Sequence, residues 1–419
     1  MLPRAGVPAA ARVQLPLLAA RTVAAPRCLA PHRLLLRSPR RCATWLPPHG
    51  RLQCRADGGE SSASPLKDNP VAIELRSRLQ KVELATLDDG RGGGGGNRWL
   101  DVDGVKVLLP PTGLPKAVVH FIGGAVLGLY PHVAYDALLA RVAEGAQVAV
   151  VAPPYELALE HDDLAQESAA QFERTMAQLR QRFAGLFPSG AEALPVYGLG
   201  HSLGAKLQLL LQLQALAEPG PTAAAAEGAG GEDRRRAGFY LISFNNFSAG
   251  DNVRLLEQYA RELLQRRRGS GGAGGAPMDR AAEALLGAMP MLARVAEGAA
   301  AQAGLEFTPS AEETLARAEA RLPSTSMPTR MRLVSFSDDS LDQAPALASL
   351  LRRAAEDGNS RLSNSEAELE GDHLTPVYLR VQGADVAASF ARLGTISMGD
   401  EARLKALAMD TIGFLRGFV

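Results

Sequence analysis

Leu194-Pro195-Val196-Tyr197-Gly198-Leu199-Gly200-His201-Ser202-Leu203-Gly204-Ala205-Lys206-Leu207-Gln208-Leu209-Leu210-Leu211 is the stretch whose reading decides the fold. A short apolar run enters Gly-x-Ser-x-Gly and a helix-forming run leaves it. A strand turning sharply into a helix strains the backbone of the corner residue, and only glycine two positions before and after leaves room for the crossing chains. The spacing therefore predicts a nucleophile elbow, with the Ser202 hydroxyl presented at the carboxyl edge of a sheet. The helix behind it would add its amino-terminal partial positive charge and the amide of Leu203, both suited to a developing oxyanion.

Working outward, strands and helices alternate. Arg98 to Leu109 reads as a hairpin turning at Asp103-Gly104, and Ala117 to Ile122 as a buried strand. Tyr135 to Glu144 is helical in pattern, Gln147 to Ala152 a second buried strand, and Ala165 to Phe183 a long amphipathic helix. Beyond the elbow, Gly238 to Phe244 and Arg330 to Phe336 read as strands, Gln343 to Ala355 as a helix and Glu366 to Leu369 as a short last strand. Such alternation implies a mostly parallel sheet covered on both faces. A low-complexity Ala/Gly insertion, Pro219 to Gly231, reads as a surface loop. Between Asn246 and Pro328 the alternation stops, and Asn252 to Arg266 and Met278 to Glu297 are helical in pattern. A helical cap over the sheet's carboxyl edge is the expected role of that span, because the ligand crevice lies at that edge; a subunit interface is the alternative.

The first 56 residues are a different material. They hold ten arginines, no lysine and no acidic residue, with short leucine clusters broken by proline and arginine. That composition predicts an organelle transit peptide rather than a secretory signal, which needs one continuous apolar core. Its removal takes away all three cysteines, Cys28, Cys42 and Cys54, and with them disulfides, cysteine–zinc sites and a thiol nucleophile. It also leaves 35 basic residues against 45 acidic ones, a net charge of about −10 that argues against a nucleic-acid partner. No apolar run approaches the roughly 20 residues of a transmembrane helix. The expected organisation is a transit peptide over 1–56, then a junction with a short helix and a glycine loop over 57–97. The core's first part would span 98–246, the helical cap 247–328 and the core's second part 329–419.

A serine hydroxyl needs a base, and the base needs a group to fix its tautomer. In this architecture the order is serine, acid, histidine. Of seven histidines only His373 follows Ser202, in Glu370-Gly371-Asp372-His373-Leu374-Thr375-Pro376 beyond the last strand. His201, inside the elbow, should turn its ring away from the Ser202 hydroxyl. The acid should end the strand Arg332 to Phe336; Asp339 is favoured, with Asp338 close behind, and one of the aspartates through Asp342 would cap the following helix. Besides Leu203, the second oxyanion donor should come from Phe121-Ile122-Gly123-Gly124-Ala125-Val126-Leu127-Gly128, with Gly124 and Ala125 the choices. No dinucleotide fingerprint, phosphate loop or metal-ligand spacing occurs, so neither cofactor nor metal is expected.

Several of these motifs in this order, together with Ile242-Ser243-Phe244-Asn245-Asn246, Phe307-Thr308-Pro309-Ser310 and Phe336-Ser337-Asp338-Asp339, resemble a plant, algal and cyanobacterial family. It is known as domain of unknown function 1350, within the α/β-hydrolase superfamily. The resemblance spans about Trp99 to Val377 and implies an α/β-hydrolase fold and a chloroplast address, with no substrate. The expected function is a serine hydrolase acting on a carboxylic ester or related small-molecule or lipid acyl compound. The alternative is a non-catalytic protein of the same fold that binds a lipid, pigment or protein partner. Peripheral membrane contact has weak support from Leu285, Leu286, Met289, Met291 and Leu292, which equally suit the cap's own core. Oligomeric state is not legible.

Overall fold

The computed structural model describes residues 98–125, 127–217, 236–248, 306–324, 329–356, 361–382 and 395–417. The transit segment, the junction, the Ala/Gly insertion and the two cap helices expected at Asn252 to Arg266 and Met278 to Glu297 lie outside the described residues.

Eight strands form one sheet: β1 Trp99–Val102, β2 Val105–Leu108, β3 Ala117–Ile122, β4 Val148–Ala152, β5 Val196–His201, β6 Gly238–Ile242, β7 Thr329–Phe336 and β8 Leu362–Leu369. Their order is β1-β2-β4-β3-β5-β6-β7-β8. The β1–β2 hairpin turns at Asp103 and Gly104, both at positive φ, and β2 pairs antiparallel with β4. From β4 onward every pair is parallel. The expected last strand of four residues is eight residues long. At the sheet's edge it carries four polar residues in a row, Ser363-Asn364-Ser365-Glu366, and alternates only over Glu366-Ala367-Glu368-Leu369, so it lacks the continuous apolar run of a buried strand. A separate antiparallel pair, β9 Leu379–Gln382 and β10 Thr395–Met398, was not anticipated from the sequence.

Among the described residues, and besides a single turn at Pro131–Ala134, the helices that cover the sheet are α1 Asp136–Ala146, α2 His161–Arg182, α3 Leu203–Ala217, α4 Ala311–Arg321, α5 Ala344–Glu356 and α6 Glu401–Arg416. Neighbouring strand residues point to opposite faces, so Val119 and Tyr240 pack with α1 and α6 through Leu138, Val142, Leu407 and Phe414. Their neighbours Val118 and Leu241 face the other layer, against Phe172 and Met176 of α2, Leu209 and Leu213 of α3, and Leu347 and Leu351 of α5. Each such side chain, fully buried, contributes about 1.5–3 kcal/mol. Within the span read as cap, α4 starts with a full capping box at Ser310 and Glu313 and packs its Ala318 into the α3–α5 layer. The last helix, outside the resemblance, is tied to the sheet by Asp410, which takes a two-pronged ion pair from Arg332 (2.7 and 2.5 Å) and a bond from Tyr240 Oη (2.7 Å).

Candidate active site

The site is assembled at the carboxyl ends of β3, β5, β7 and β8. Ser202 lies between β5 and α3 with φ 57°. A Cβ on Gly200 would lie 2.5 Å from the Gly204 carbonyl oxygen, and one on Gly204 only 2.0 Å from the Ile122 carbonyl oxygen. Both neighbours are main chain, so the glycines are required by the crossing of β3, β5 and α3. The Ser202 amide donates to Ile242 O (2.9 Å), which fixes the corner against β6. The residue is half-buried.

His373 lies beyond β8, in a turn held by Asp372 and Thr375. The Asp372 amide donates to Thr375 Oγ1 (2.8 Å) and the Leu374 amide to Asp372 Oδ1 (2.9 Å). Its Nε2 lies 2.9 Å from Ser202 Oγ, and its Nδ1 lies 2.9 and 3.1 Å from the two carboxylate oxygens of Asp339. An ionised carboxylate only accepts, so Nδ1 carries the proton and Nε2 offers its lone pair to the serine hydroxyl. Burial alone would raise the Asp339 carboxyl. His373, the Ser243 hydroxyl and the Leu341 amide, which donates to Oδ1 at 2.9 Å, together hold it below the usual carboxylate value.

The three aspartates after β7 thus separate. Asp339 faces His373 with its carboxylate fully buried. Asp338 is exposed and engages the histidine loop through its amide, which donates to Gly371 O (2.9 Å). Asp342 caps α5 by accepting from the Ala344 amide (2.9 Å), and burial raises its carboxyl.

The two choices for the second oxyanion donor also separate. Gly124 N–H donates to Tyr135 Oη (2.9 Å), so that amide is committed to a side chain. The next peptide has its carbonyl, Gly124 O, accepting from Gly128 N (2.6 Å), and a trans peptide aims its N–H opposite to its C=O. The Ala125 amide is therefore turned away from Gly128. Leu203 is the first residue of α3, where helix geometry leaves the N–H without an intrahelical partner. The His201 ring turns from the Ser202 hydroxyl to Tyr135 Oη (Nδ1, 2.8 Å) and His373 O (Nε2, 2.9 Å).

Tyr135, Tyr155 and Ser243 were missed by sequence reasoning. Tyr155 Oη donates to Gly123 O (2.9 Å). Ser243, at the end of β6 with φ 48° and fully buried, sits beside the acid. Nothing in their local patterns marks them, since each looks like an ordinary strand-end or helix-start residue. Among the described residues no helix is long and apolar enough to cross a membrane.

The strand order, with one antiparallel hairpin ahead of a parallel sheet, and the strained serine between β5 and α3 define an α/β-hydrolase fold. The chain belongs to the family described as protein of unknown function DUF1350, whose pattern matches residues 98–399 and so continues past Val377 through β10. No curated protein matches the sequence. Among solved structures, a thermostable esterase from Pseudomonas putida is 12% identical, with 83% of this chain and 90% of that chain covered and a TM-score of 0.43. A siderophore hydrolase from Aspergillus fumigatus is 14% identical, with 75% and 94% covered and a TM-score of 0.44. Carboxyl esterase 2 from the mycorrhizal fungus Tuber melanosporum is 14% identical, with 83% and 99% covered and a TM-score of 0.39.

Proposed function

We propose that this protein is a chloroplast serine hydrolase that cleaves a carboxylic ester or related small-molecule or lipid acyl compound. The observation that carries the reading is the continuous chain of contacts from Ser202 Oγ through His373 to a buried, ionised Asp339. Ser202 Oγ attacks the acyl carbon as its proton passes to His373 Nε2, and the tetrahedral oxyanion is held by the amides of Leu203 and Ala125. His373 returns the proton to the leaving alkoxide, giving an alcohol and an acyl-serine. Water then attacks the acyl carbon and gives its proton to the same nitrogen. Collapse releases the carboxylic acid and restores the serine hydroxyl. Asp339 holds the imidazole in the productive tautomer throughout.

A binding protein of the same fold would be favoured by a histidine turned away from the serine or by a closed elbow. His373 is bonded to Ser202, and Ser202 is only half-buried, which supports the enzyme reading instead. The test is labelling of the purified mature protein with a fluorophosphonate probe, read by mass spectrometry beside Ser202→Ala and His373→Ala. An adduct on Ser202 that is lost in both variants supports the reading; a folded wild type that takes no label refutes it. The chloroplast address is supported by the arginine-rich, acid-free residues 1–56 and by the family resemblance. A fluorescent protein carrying those residues should collect in plastids, and accumulation elsewhere would remove that part of the proposal.

A further inference from the structure

The glycine loop that carries the oxyanion amide is clamped by side chains the reaction itself does not use. Gly123 C=O and Gly124 N–H are the two ends of one peptide group. Its carbonyl accepts from Tyr155 Oη (2.9 Å) and its amide donates to Tyr135 Oη (2.9 Å), so a flip of that peptide breaks both bonds. Two successive glycines have no side chain to oppose such a flip, so the orientation must be imposed from outside. Tyr135 then continues to His201 Nδ1 (2.8 Å), and His201 Nε2 reaches the main-chain oxygen of His373 (2.9 Å).

Every proton in this chain has one place to be. A carbonyl only accepts, so His201 Nε2 carries a hydrogen. The ring is buried at 1% exposure, and burial pushes it down to about 3, so it is neutral and Nδ1 is an acceptor. Burial also raises the Tyr135 phenol, so its hydroxyl stays protonated and donates to Nδ1. The Tyr135 oxygen keeps a lone pair for the Gly124 N–H. The bonds run in one direction, from the glycine loop through the residue before the nucleophile to the histidine loop.

We propose that Tyr135 and His201 are positioning residues that couple the two loops of the site, setting the Gly123–Gly124–Ala125 main chain and the His373 main chain against the same elbow. Its kinetic consequence rests on the hydrolase reading; the hydrogen-bond chain itself does not. An oxyanion hole lowers the barrier only if its donors are aimed before charge develops, and loss of one donor outright costs about 100- to 1000-fold in kcat. Loss of the clamp that aims a donor should cost less, and should spare ground-state binding.

The test combines nuclear magnetic resonance of the full chain, 15N-labelled at histidine, with steady-state hydrolysis of p-nitrophenyl butyrate. At pH 7 His201 is expected to show a protonated Nε2 and a hydrogen-bonded, unprotonated Nδ1. Tyr135→Phe keeps the ring and its packing, and should shift the Nδ1 resonance toward the value for a free lone pair. It should lower kcat roughly 10- to 100-fold with KM within about two-fold. His201→Gln, whose side-chain amide can still donate to the His373 carbonyl, should recover part of what His201→Ala loses. If Tyr135→Phe fails to fold, this second pair carries the kinetic test. Wild-type kcat in Tyr135→Phe, or a His201 protonated on Nδ1 in the wild type, overturns the coupling. A wild type with the expected His201 signals that neither hydrolyses the ester nor takes a phosphonate refutes the hydrolase reading and leaves the coupling standing.

Discussion

The elbow and the loops around it meet at Ser202 but are held in place by different means. At the elbow the constraint is main chain against main chain: Gly200 and Gly204 sit where any Cβ would enter a neighbouring backbone, and Ser202 has no freedom to relax from φ 57°. The glycine loop and the histidine loop are instead held by side-chain hydrogen bonds, with Tyr135 and Tyr155 for the first and Thr375 of the same turn and Ser202 for the second, while the acid is held by His373 and the Leu341 amide. A part held by sterics fails by unfolding, whereas a part held by hydrogen bonds can lose its alignment while the fold survives. Mutations should therefore separate activity from stability according to which region they touch.

The largest effect should come from the hydrogen-bonded side. Asp339→Asn keeps the shape but leaves His373 free to adopt the other tautomer, and kcat should fall by about 10⁴-fold in a folded protein. Ester hydrolysis measured together with circular dichroism checks both halves. Gly204→Ala tests the steric side, because its Cβ would lie 2.0 Å from one carbonyl oxygen and 2.5 Å from the next. Urea denaturation should report a loss of more than about 3 kcal/mol, or no folded protein at all. A Gly204→Ala variant of wild-type stability would show that the elbow can relax, and the contrast would collapse.

Acidification should weaken the fold as a whole, since buried histidines stand in β3, at the start of α2 and in the elbow. His120, His161 and His201 are all pushed below the ordinary histidine value by burial, His161 and His201 to about 3. Between that value and about 6.5 the unfolded chain binds protons the folded one refuses, so stability is complete above about pH 6.5 and falls as pH falls toward 3. At pH 5 the loss should be about 2 kcal/mol for each of His161 and His201. Urea midpoints at pH 7 and pH 5 measure it, and equal midpoints would mean those rings are protonated in the fold.

Gly124→Ala should act more weakly. The atoms nearest its Cβ would be side-chain ones, His201 Nδ1, Ser202 Cβ and Tyr135 Oη, each at 3.3 Å. A cost of about 1 kcal/mol in urea denaturation with a clear drop in kcat is expected, the reverse of the balance expected for Gly204→Ala. Smallest of all, Asp338→Asn should stay within about two-fold of wild-type kcat, because Asp339 supplies the carboxylate at His373 Nδ1 and the substitution keeps the Asp338 amide that donates to Gly371 O. A large loss there would return the choice of acid to the pair.

How far the sequence could be read follows the same division. The elbow, the strand it ends and the helix it begins were legible from Gly-x-Ser-x-Gly in its apolar context, because sterics between residues a few positions apart leave one arrangement. Ala117–Ile122 was equally plain as a short apolar run, and the helix after β7 from its periodicity. The length of β8 was not, since an edge strand needs apolar residues on one face only, and neither was β9–β10. Asp339 could be favoured over Asp338 only by its distance beyond the strand, because adjacent residues leaving a strand point apart and the position of His373 decides which of them meets it. Gly124 and Ala125 stood together until the Tyr135 hydroxyl was seen to occupy one of the two amides.

By itself, then, the sequence determined the α/β alternation, the serine at its elbow and a single histidine in the right order, since each follows from local periodicity, local sterics or elimination. Only the tertiary structure decided which aspartate meets that histidine, which of the two glycine-loop amides the Tyr135 hydroxyl takes, and that Tyr135 and His201 join the two loops. Those choices rest on hydrogen bonds of about 3 Å between residues up to 172 positions apart, and no local pattern in a chain records which distant atoms folding will bring within that reach.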